Sequence, residues 1–473
     1  MRHYGHFYID GSWVEPRDAR RHEIINPATE RPFASVSLGS VADVDRAVRA
    51  ARAAFEEFGA TSKAERLALL DRIIQVYASR QAELAATLTE EMGSPVKATV
   101  QATGPLEQFR QARRTLAEYD FERPLGATLV RREAIGVCGL ITPWNWPVQS
   151  PCTKLAYALA AGCTIILKPS EHSPVSVILL TEILHEAGVP NGVFNLVNGD
   201  GAGVGASISA HPDIDLVSFT GSTRAGILVA AAAAPTVKRV AQELGGKSAN
   251  IILPDADLAA AARWSIGRGF FNSGQSCHAP SRILVHRDQL RQAAELLVEE
   301  AQRLKVGDPK DPATDLGPVV NKAQFERIQR YIQAGMDEGA RLAVGGLGRP
   351  EGLDVGYFVR PTVFVDVAPE MTIAREEIFG PVLSVTPYAT EEEAIRIANA
   401  SSYGLGGYVF AGSRDKGLAV ARQIRAGRIA INGAAAESAA PMGGYKQSGN
   451  GREMGVFGLE EYLETKAIFG AAA

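Results

Sequence analysis

The chain has 473 residues, which is enough for about three domains at ~150 residues each. Its 49 Lys and Arg residues nearly balance 53 Asp and Glu residues, and the formal net charge of −4 excludes the basic surface typical of nucleic-acid-binding proteins. The 47 Gly and 25 Pro residues are too few for a collagen-like or low-complexity chain.

Four cysteines without a Cys-x-x-Cys pair indicate a protein of a reducing compartment. The first residues contain no apolar stretch typical of a signal peptide, and no apolar run is long enough to cross a bilayer. The eight histidines do not have the spacing of a zinc site. We therefore expect a cytoplasmic protein that binds neither nucleic acid nor membranes, and we predict no metal site.

Residues 40–93 predict two long amphipathic helices. The segments 40–43 (Ser-Val-Ala-Asp) and 62–65 (Ser-Lys-Ala-Glu) both match a capping box, in which a serine and a later acidic residue satisfy free N–H groups. Gly93 stands where a left-handed C-cap would end the second helix.

From residue 134 onwards, short β-branched runs alternate with stretches long enough for a helix. This alternation is typical of βαβ units and predicts an α/β fold with parallel sheets in two consecutive lobes, joined near residues 243–248. The predicted strands are 134–142, 164–168, 193–197 and 216–220 in the first lobe, and 248–253, 282–285, 362–365, 381–388, 408–410 and 428–432 in the second. Residues 118–136 and the tail from Leu459 suit an extended arm that pairs with another subunit, or else a surface hairpin.

Two glycine-containing turns follow predicted strands. Residues 201–206 (Gly-Ala-Gly-Val-Gly-Ala) match a dinucleotide fingerprint, but the acidic residue expected about 20 positions later is missing, so a glycine-rich turn is the favoured interpretation. Residues 220–223 (Thr-Gly-Ser-Thr) lie between a strand and a helix, where free N–H groups could bind phosphate or simply cap the helix.

Residues 168–171 (Lys-Pro-Ser-Glu) follow the strand 164–168, at the end of the sheet where ligands of open α/β folds bind. The Lys168 and Glu171 side chains could hold the ribose hydroxyls of a nucleotide. They could equally be solvated charges on a loop, which is the usual state of Lys and Glu.

Cys277 is the candidate nucleophile. It follows Asn272, Gly274 and Gln275, which are unusual neighbours for a core cysteine because their polar groups need partners when buried. Its thiolate would be only about 3% populated at pH 7 with an ordinary pKa near 8.5, so nearby groups must promote ionisation. The other cysteines, at 138, 152 and 163, lie in apolar or alanine-rich segments and are interpreted as core residues.

A base is expected near this cysteine. The adjacent His278 suggests a Cys–His protease, but neighbours on an extended segment point in opposite directions, which argues against pairing. Glu243 is the better candidate, since apolar and small neighbours would raise its pKa towards the working range of a general base.

Seven segments together resemble the aldehyde dehydrogenase superfamily over nearly the whole chain. They are 142–145 (Thr-Pro-Trp-Asn), 168–171, 219–223 (Phe-Thr-Gly-Ser-Thr), 243–247 (Glu-Leu-Gly-Gly-Lys), 271–277 (Phe-Asn-Ser-Gly-Gln-Ser-Cys), 376–382 (Glu-Glu-Ile-Phe-Gly-Pro-Val) and 443–449 (Gly-Gly-Tyr-Lys-Gln-Ser-Gly). The resemblance implies a Rossmann-like cofactor-binding lobe, an α/β catalytic lobe and a small β oligomerisation arm. The implied cofactor-binding lobe comprises residues 1–117 and 137–245, and the implied catalytic lobe comprises residues 246–445. The implied arm comprises residues 118–136 and 459–473.

The resemblance also assigns roles to individual residues. It implies that Cys277 is the nucleophile, Glu243 the general base and Asn145 the oxyanion donor. The implied cofactor-binding residues are Thr142, Pro143, Trp144, Lys168, Ser170, Glu171, Gly203, Phe219, Thr220, Gly221, Ser222, Gly226, Leu244, Gly245, Glu377 and Phe379.

The implied reaction is NAD-dependent oxidation of an aldehyde to a carboxylic acid by a homo-oligomer, a dimer or a tetramer. Glu171 favours NAD because a carboxylate binds a ribose 2′-OH and repels a 2′-phosphate, and Lys168 leaves NADP as an alternative. A CoA-acylating enzyme is a second hypothesis, which Glu243 argues against because such relatives lack a carboxylate there. A catalytically silent cofactor-binding protein is a third, and it would be expected to lack one of the three catalytic residues.

By the same resemblance, the aldehyde would contact Trp146, Gln149, Ser150, Thr153, Phe271, Ser276, His278, Ala436 and Met442. Ser150, Thr153 and the alanine run 434–436 are small, which predicts a wide pocket and a bulky aromatic or long-chain substrate. No arginine stands at these positions, which argues against an aldehyde with a terminal carboxylate.

Overall fold

The computed structural model describes residues 1–471. Its strands are β1 Arg2–Tyr4, β2 Phe7–Ile9, β3 Ser12–Val14, β4 Arg20–Asn26, β5 Arg31–Leu38, β6 Glu122–Leu125, β7 Thr128–Ala134, β8 Val137–Ile141, β9 Thr164–Lys168, β10 Phe194–Leu196, β11 Leu216–Thr220, β12 Arg239–Glu243, β13 Ala249–Ile252, β14 Arg282–His286, β15 Arg341–Val344, β16 Thr362–Val365, β17 Val382–Tyr388, β18 Tyr403–Gly404, β19 Gly406–Phe410, β20 Arg428–Ile431, β21 Tyr445–Lys446, β22 Gly449–Asn450 and β23 Leu463–Phe469. Its α-helices are α1 Val41–Phe58, α2 Lys63–Met92, α3 Val100–Glu118, α4 Gln149–Ala161, α5 Val175–Glu186, α6 Ala206–Ala210, α7 Thr223–Ala233, α8 Leu258–Phe270, α9 Leu290–Gln302, α10 Lys322–Asp337, α11 Thr372–Arg375, α12 Glu391–Asn399, α13 Arg414–Ala421 and α14 Gly455–Glu460.

The two amino-terminal helices begin where the sequence predicts. Ser40 and Ser62 are the N-caps of α1 and α2. In α2 the Ser62 hydroxyl accepts from the Glu65 N–H and the Glu65 carboxylate accepts from the Ser62 N–H, and in α1 the Asp43 carboxylate accepts from the Ser40 N–H at 3.0 Å. Gly93 ends α2 in the left-handed conformation, with φ of 68°.

The first large sheet has the strand order β22-β12-β11-β8-β9-β10-β2-β3. Strands β12, β11, β8, β9 and β10 run parallel, while β22 and β2 join them antiparallel. Helix α4 is buried from Pro151 to Ala161 in the core beside this sheet, because it is apolar on every side apart from a few polar residues. Because β8, β11 and β12 are parallel neighbours, their carboxyl ends meet at one edge of the sheet.

The second large sheet has the order β15-β16-β17-β14-β13-β19-β20 and is parallel except for β15. The chain is thus an α/β protein with two large, mainly parallel sheets, as the alternating pattern predicts. Strands β6, β7 and β23 form a separate antiparallel sheet that joins the segment 118–136 to the carboxyl-terminal tail. Within residues 1–471, none of the helices has the length and apolarity needed to cross a membrane.

The predicted strands of both lobes are confirmed within two residues at each end, apart from the start of the first, where β8 begins at Val137 and residue 134 belongs to β7. Strand β12 was not predicted, because Arg239–Glu243 has mixed polarity and its strand character comes from pairing with β11. The glycine-rich segment Gly201–Gly205 forms a π-helical turn that leads into α6.

Candidate active site

A cavity of about 790 Å³ opens at the edge where β8, β11 and β12 end. The predicted residues that line it are Pro143, Trp144, Asn145, Trp146, Gln149, Ser150, Thr153, Thr220, Gly221, Ser222, Glu243, Leu244, Gly245, Phe271, Cys277, His278, Glu377, Phe379 and Met442. Those that lie outside its lining are Thr142, Lys168, Ser170, Glu171, Gly203, Phe219, Gly226, Ser276 and Ala436. The structure therefore brings the predicted nucleophile, base and oxyanion donor to one cavity.

The cysteine loop, residues 271–278, carries the nucleophile from the end of α8 into this cavity. Three successive residues have left-handed backbones, with φ of 55° at Asn272, 54° at Ser273 and 72° at Gly274. A Cβ at Gly274 would lie 2.1 Å from the carbonyl oxygen of Gly380, so only glycine allows this close approach. Within the loop, the Ser273 hydroxyl donates to the Gly317 carbonyl at 2.8 Å, and the Gln275 side chain accepts from the backbone N–H of Val320 at 2.9 Å.

Cys277 differs from the other cysteines in its exposure. Cys138, Cys152 and Cys163 are fully buried, whereas Cys277 is only partly buried and borders the cavity. Desolvation raises the pKa of the Cys277 thiol to about 12, and the nearby carboxylate of Glu377 adds to the rise. The thiol therefore needs a donor or a positive charge beside it to ionise near neutral pH.

His278 contacts the nucleophile, contrary to the expectation from sequence. Its Nδ1 lies 3.8 Å from the Cys277 sulfur. The expectation was wrong because residues 277 and 278 form a turn and not an extended segment, so their side chains point to the same side. Desolvation lowers the pKa of His278 to about 3, and the Arg268 guanidinium contributes to this shift.

Asn145 lies at the turn after β8 and presents its amide beside the cysteine loop. One hydrogen of its Nδ2 donates to the Gln275 carbonyl at 2.9 Å, which fixes the amide against the loop. An amide nitrogen carries two hydrogens, so the second remains for an oxygen bound in the cavity. Asn272 in turn donates to the Asn145 backbone carbonyl at 3.0 Å.

Glu243 ends β12 with a carboxyl group that is only 4% exposed. Among the described residues neither of its oxygens has a hydrogen-bond partner. Desolvation raises the pKa of Glu243 well above its ordinary value, and the nearby Glu453 carboxylate raises it further. A buried carboxyl with free oxygens and a raised pKa has the properties of a general base.

Two residues beside Glu243 were not identified from sequence. Lys154 of α4 donates to Glu453 at 2.5 Å and to the Ser218 hydroxyl at 2.8 Å, and its side chain is 1% exposed. The positive charge of Lys154 works against the rise in the pKa of Glu243. The sequence could have indicated Lys154, since it is the one charged residue in helix α4.

The cofactor end of the cavity fits an extended ligand with phosphate groups. Helix α7 starts at the predicted turn, with the Ser222 hydroxyl accepting from Ala225, and its free N–H groups face a region with the unpartnered, buried hydroxyl of Thr220. A Cβ at Gly245 would lie 2.3 Å from a carboxylate oxygen of Glu377. Trp144 and Phe379 pack edge-on, with ring centroids 5.4 Å apart.

The predicted residues at 168–171 and 203 make internal bonds. Lys168 donates to the carbonyls of Pro169 at 2.6 Å and Gly199 at 2.7 Å, and lies 3.5 Å from Glu171. The Gly203 N–H donates to Asp200 at 2.6 Å. Because this N–H already has a partner, the cofactor role predicted for Gly203 gains no support from the geometry.

Several charged or polar residues line the cavity that sequence reasoning missed: Arg224, Arg268, Gln324, Arg327, Tyr331, Glu376, Tyr403, Arg428 and Glu453. Arg268 and Arg428 bear on the substrate, because both face the Cys277–His278 turn. Neither arginine is among the nine substrate-contact positions predicted from the sequence, none of which is an arginine. Within residues 1–471, no group of three or more His, Cys, Asp or Glu side chains is arranged to hold a metal ion.

Comparison with known proteins finds full-length similarity. A profile described as the aldehyde dehydrogenase family matches residues 13–468. A 3-succinoylsemialdehyde-pyridine dehydrogenase of a Pseudomonas species is 55% identical over 473 residues, covering 99% of each chain. Aldehyde dehydrogenase C of Pseudomonas syringae, solved as a cysteine-to-alanine variant with NAD+ and octanal, is 52% identical with a TM-score of 0.98, covering 99% of this chain and 97% of that one. A Mycobacterium tuberculosis aldehyde dehydrogenase solved with NAD+ is 40% identical with a TM-score of 0.96, covering 99% and 98%.

Proposed function

The chain belongs to the aldehyde dehydrogenase family, and we propose that it oxidises an aldehyde to a carboxylic acid with NAD, through a thioester on Cys277 that water hydrolyses. The observation that carries this proposal is one cavity lined by Cys277, Glu243 and Asn145, which come from three separate parts of the chain. The relatives from P. syringae and M. tuberculosis that were solved with NAD+ support the choice of cofactor.

Cys277 and Asn145 carry out the first half of the reaction. The thiolate sulfur attacks the aldehyde carbon, and the carbonyl oxygen becomes an alkoxide. The free hydrogen of the Asn145 amide donates to that alkoxide, and loss of one such donor typically costs about 10²–10³-fold in rate. The oxidised nicotinamide, when bound, supplies the hydride acceptor that converts this adduct to the thioester.

Glu243 carries out the second half. Its carboxylate removes a proton from water, and the resulting hydroxide attacks the thioester carbon and expels the Cys277 thiolate. The raised pKa of Glu243 makes it a stronger base, but it also keeps more of the carboxyl protonated at low pH. Lys154 offsets this effect by stabilising negative charge on the carboxylate.

We propose a bulky aromatic or long-chain aldehyde as substrate. Trp146 and Phe271 stack at 5.9 Å with an interplanar angle of 25° and form an apolar wall, and the small Ser150 and Thr153 leave space beside it. Two relatives agree with this choice, since one is named a 3-succinoylsemialdehyde-pyridine dehydrogenase and the other was solved with octanal. NADP use stays open beside NAD because Lys168 adjoins Glu171.

The test is the formation of reduced nicotinamide by the full-length protein with acetaldehyde, octanal, benzaldehyde and 4-carboxybenzaldehyde, each with and without CoA. We expect activity without CoA, a higher kcat/KM for octanal and benzaldehyde than for acetaldehyde, and no activity in Cys277→Ala. Cys152→Ala is the matched control, because that thiol is fully buried in the core. Strict dependence on CoA would favour the acylating alternative, and no signal from any aldehyde would favour a silent protein.

The comparison of 4-carboxybenzaldehyde with benzaldehyde, which have the same ring, tests whether the pocket prefers an apolar or a carboxylated substrate. Arg268 and Arg428 border the nucleophile, and no carboxylate within residues 1–471 forms an ion pair with either. A kcat/KM for 4-carboxybenzaldehyde far above that for benzaldehyde would contradict an apolar substrate tail and would identify these guanidinium groups as its partners.

We also propose that the protein is a cytoplasmic homo-oligomer. The sheet of β6, β7 and β23 has exposed edges, and it carries apolar side chains in water: Leu125 is 69% exposed and Phe469 is 84% exposed. Pairing of this sheet with a second copy would bury both. A molar mass equal to one chain in light scattering would contradict this proposal.

A further inference from the structure

His278 has a different partner on each ring nitrogen. Its Nδ1 lies 3.8 Å from the sulfur of Cys277, and its Nε2 lies 2.5 Å from Nη2 of Arg268. The ring thus links a guanidinium group of α8 to the nucleophile across the cysteine loop. Both His278 and Arg268 border the cavity.

The chemistry of arginine decides where the imidazole proton lies. A guanidinium group has only N–H donors, so Nε2 must accept the bond from Arg268. A neutral imidazole whose Nε2 accepts carries its hydrogen on Nδ1. That hydrogen points at the sulfur, so the contact between residues 277 and 278 is a donor from the ring to the sulfur.

We infer that His278 donates its Nδ1–H to the thiolate of Cys277, and that Arg268 is a positioning residue that holds the ring in this tautomer. The inference rests on the proposed role of Cys277 as nucleophile. It gives His278 a role in the chemistry beyond that of a pocket wall.

The charges around the sulfur explain why such a donor is needed. Burial disfavours the Cys277 thiolate, and so do the nearby carboxylates of Glu377 and Glu243, whereas the Arg428 guanidinium favours it. Burial of the His278 ring favours its neutral form, and the positive charges of Arg268 and Arg428 favour it further. A neutral ring with its proton already on Nδ1 cannot accept the proton of the thiol, so His278 stabilises the thiolate and does not act as its base.

The backbone of His278 is held in place independently. The Tyr408 hydroxyl of β19 donates to the His278 carbonyl at 2.5 Å, which fixes the turn against the second sheet. The position of the His278 ring is therefore set by Arg268 at Nε2 and by Tyr408 at the backbone carbonyl. A geometry held from two sides suits a donor that must stay aimed at one atom.

The test is the rate at which two neutral alkylating reagents, iodoacetamide and the larger N-ethylmaleimide, modify Cys277 in the full-length protein without aldehyde or cofactor. The other three cysteines are buried, and Cys277→Ala gives the background. We expect His278→Phe to slow both reagents by about ten-fold below the thiol pKa, because a hydrogen bond to a charged group is lost. His286→Phe is the matched control, since it makes the same change at the end of β14.

Arg268 gives a second, independent variant. Arg268→Met should slow both reagents by about two-fold or more, because an imidazole without the arginine bond divides its proton between its two nitrogens. Arg268→Lys should keep most of the wild-type rate, since lysine can still donate to Nε2. An unchanged rate in His278→Phe would overturn the inference, and so would a greater slowing of the larger reagent, which indicates a steric effect. If His278→Phe does not fold, an unchanged rate in Arg268→Met overturns it. Since no aldehyde is present, the inference and the proposed oxidation can fail separately.

Discussion

Gly246 connects the two sheets and packs against the nucleophile itself. A Cβ at this position would lie 2.4 Å from the carbonyl oxygen of Cys277, where ordinary contacts begin at 3.4 Å. The obstacle is backbone, so it cannot rotate away as a side chain would. Gly246→Ala therefore requires the Cys277 backbone to move by about 1 Å, the difference between these distances.

This displacement predicts a kinetic defect of definite size. A 1 Å misplacement of a reacting group costs about 10²-fold in rate, because the attacking atom no longer has the required alignment. We expect hydride transfer in a single turnover of Gly246→Ala to slow by about that factor, as measured by stopped-flow absorbance of reduced nicotinamide with saturating aldehyde.

The matched control is Gly267→Ala on α8, the helix that leads into the cysteine loop. A Cβ there meets nothing within 4 Å, and alanine favours the helix, so activity should stay unchanged. Thermal unfolding of both variants separates a local shift from loss of the fold. A correctly folded Gly246→Ala protein with hydride transfer near the wild-type rate would refute the positional argument.

Two further predictions concern carboxylates. Glu243→Gln should retain first-turnover hydride transfer but lose about 10²–10⁴-fold in steady-state turnover. The rise of kcat with pH should vanish in this variant, because the raised pKa of Glu243 makes its ionisation the cause of that rise. Steady-state turnover at the wild-type rate would contradict its role as base. Glu171→Gln should raise the NADP-to-NAD ratio of kcat/KM by removing a charge that repels a 2′-phosphate, whereas the exposed Glu186→Gln should not; equal ratios in the two variants would contradict the assignment.

The sequence was most informative where the signal is local. Strands β9, β11 and β16 were predicted to the residue, because short β-branched runs between helical stretches leave little choice of boundary. The polar residues before Cys277 also predicted an unusual environment for that thiol, and the loop that holds them confirms it. These features depend on residues that are neighbours in the chain.

The rest depended on contacts between distant segments. Lys154 and Glu453 are 299 positions apart in sequence, and their pairing follows only from the packing of α4 against the carboxyl-terminal region. The contact of His278 with Cys277 was missed because the chain forms a turn there, whereas the expectation from sequence is an extended segment. Arg268 and Arg428 enter the cavity from different elements of the second lobe, which periodicity alone cannot show.

The pairing of β22 with β12 has a consequence for the order in which the protein is made. Gly449 pairs with Glu243, and Glu453 follows four residues later, so the surroundings of the proposed base come from the last part of the chain to be synthesised. A nascent chain on the ribosome already holds Cys277 but lacks this wall. A chain that ended before residue 449 would therefore keep Cys277 but lack both the strand that pairs with Glu243 and the Glu453 carboxylate near it.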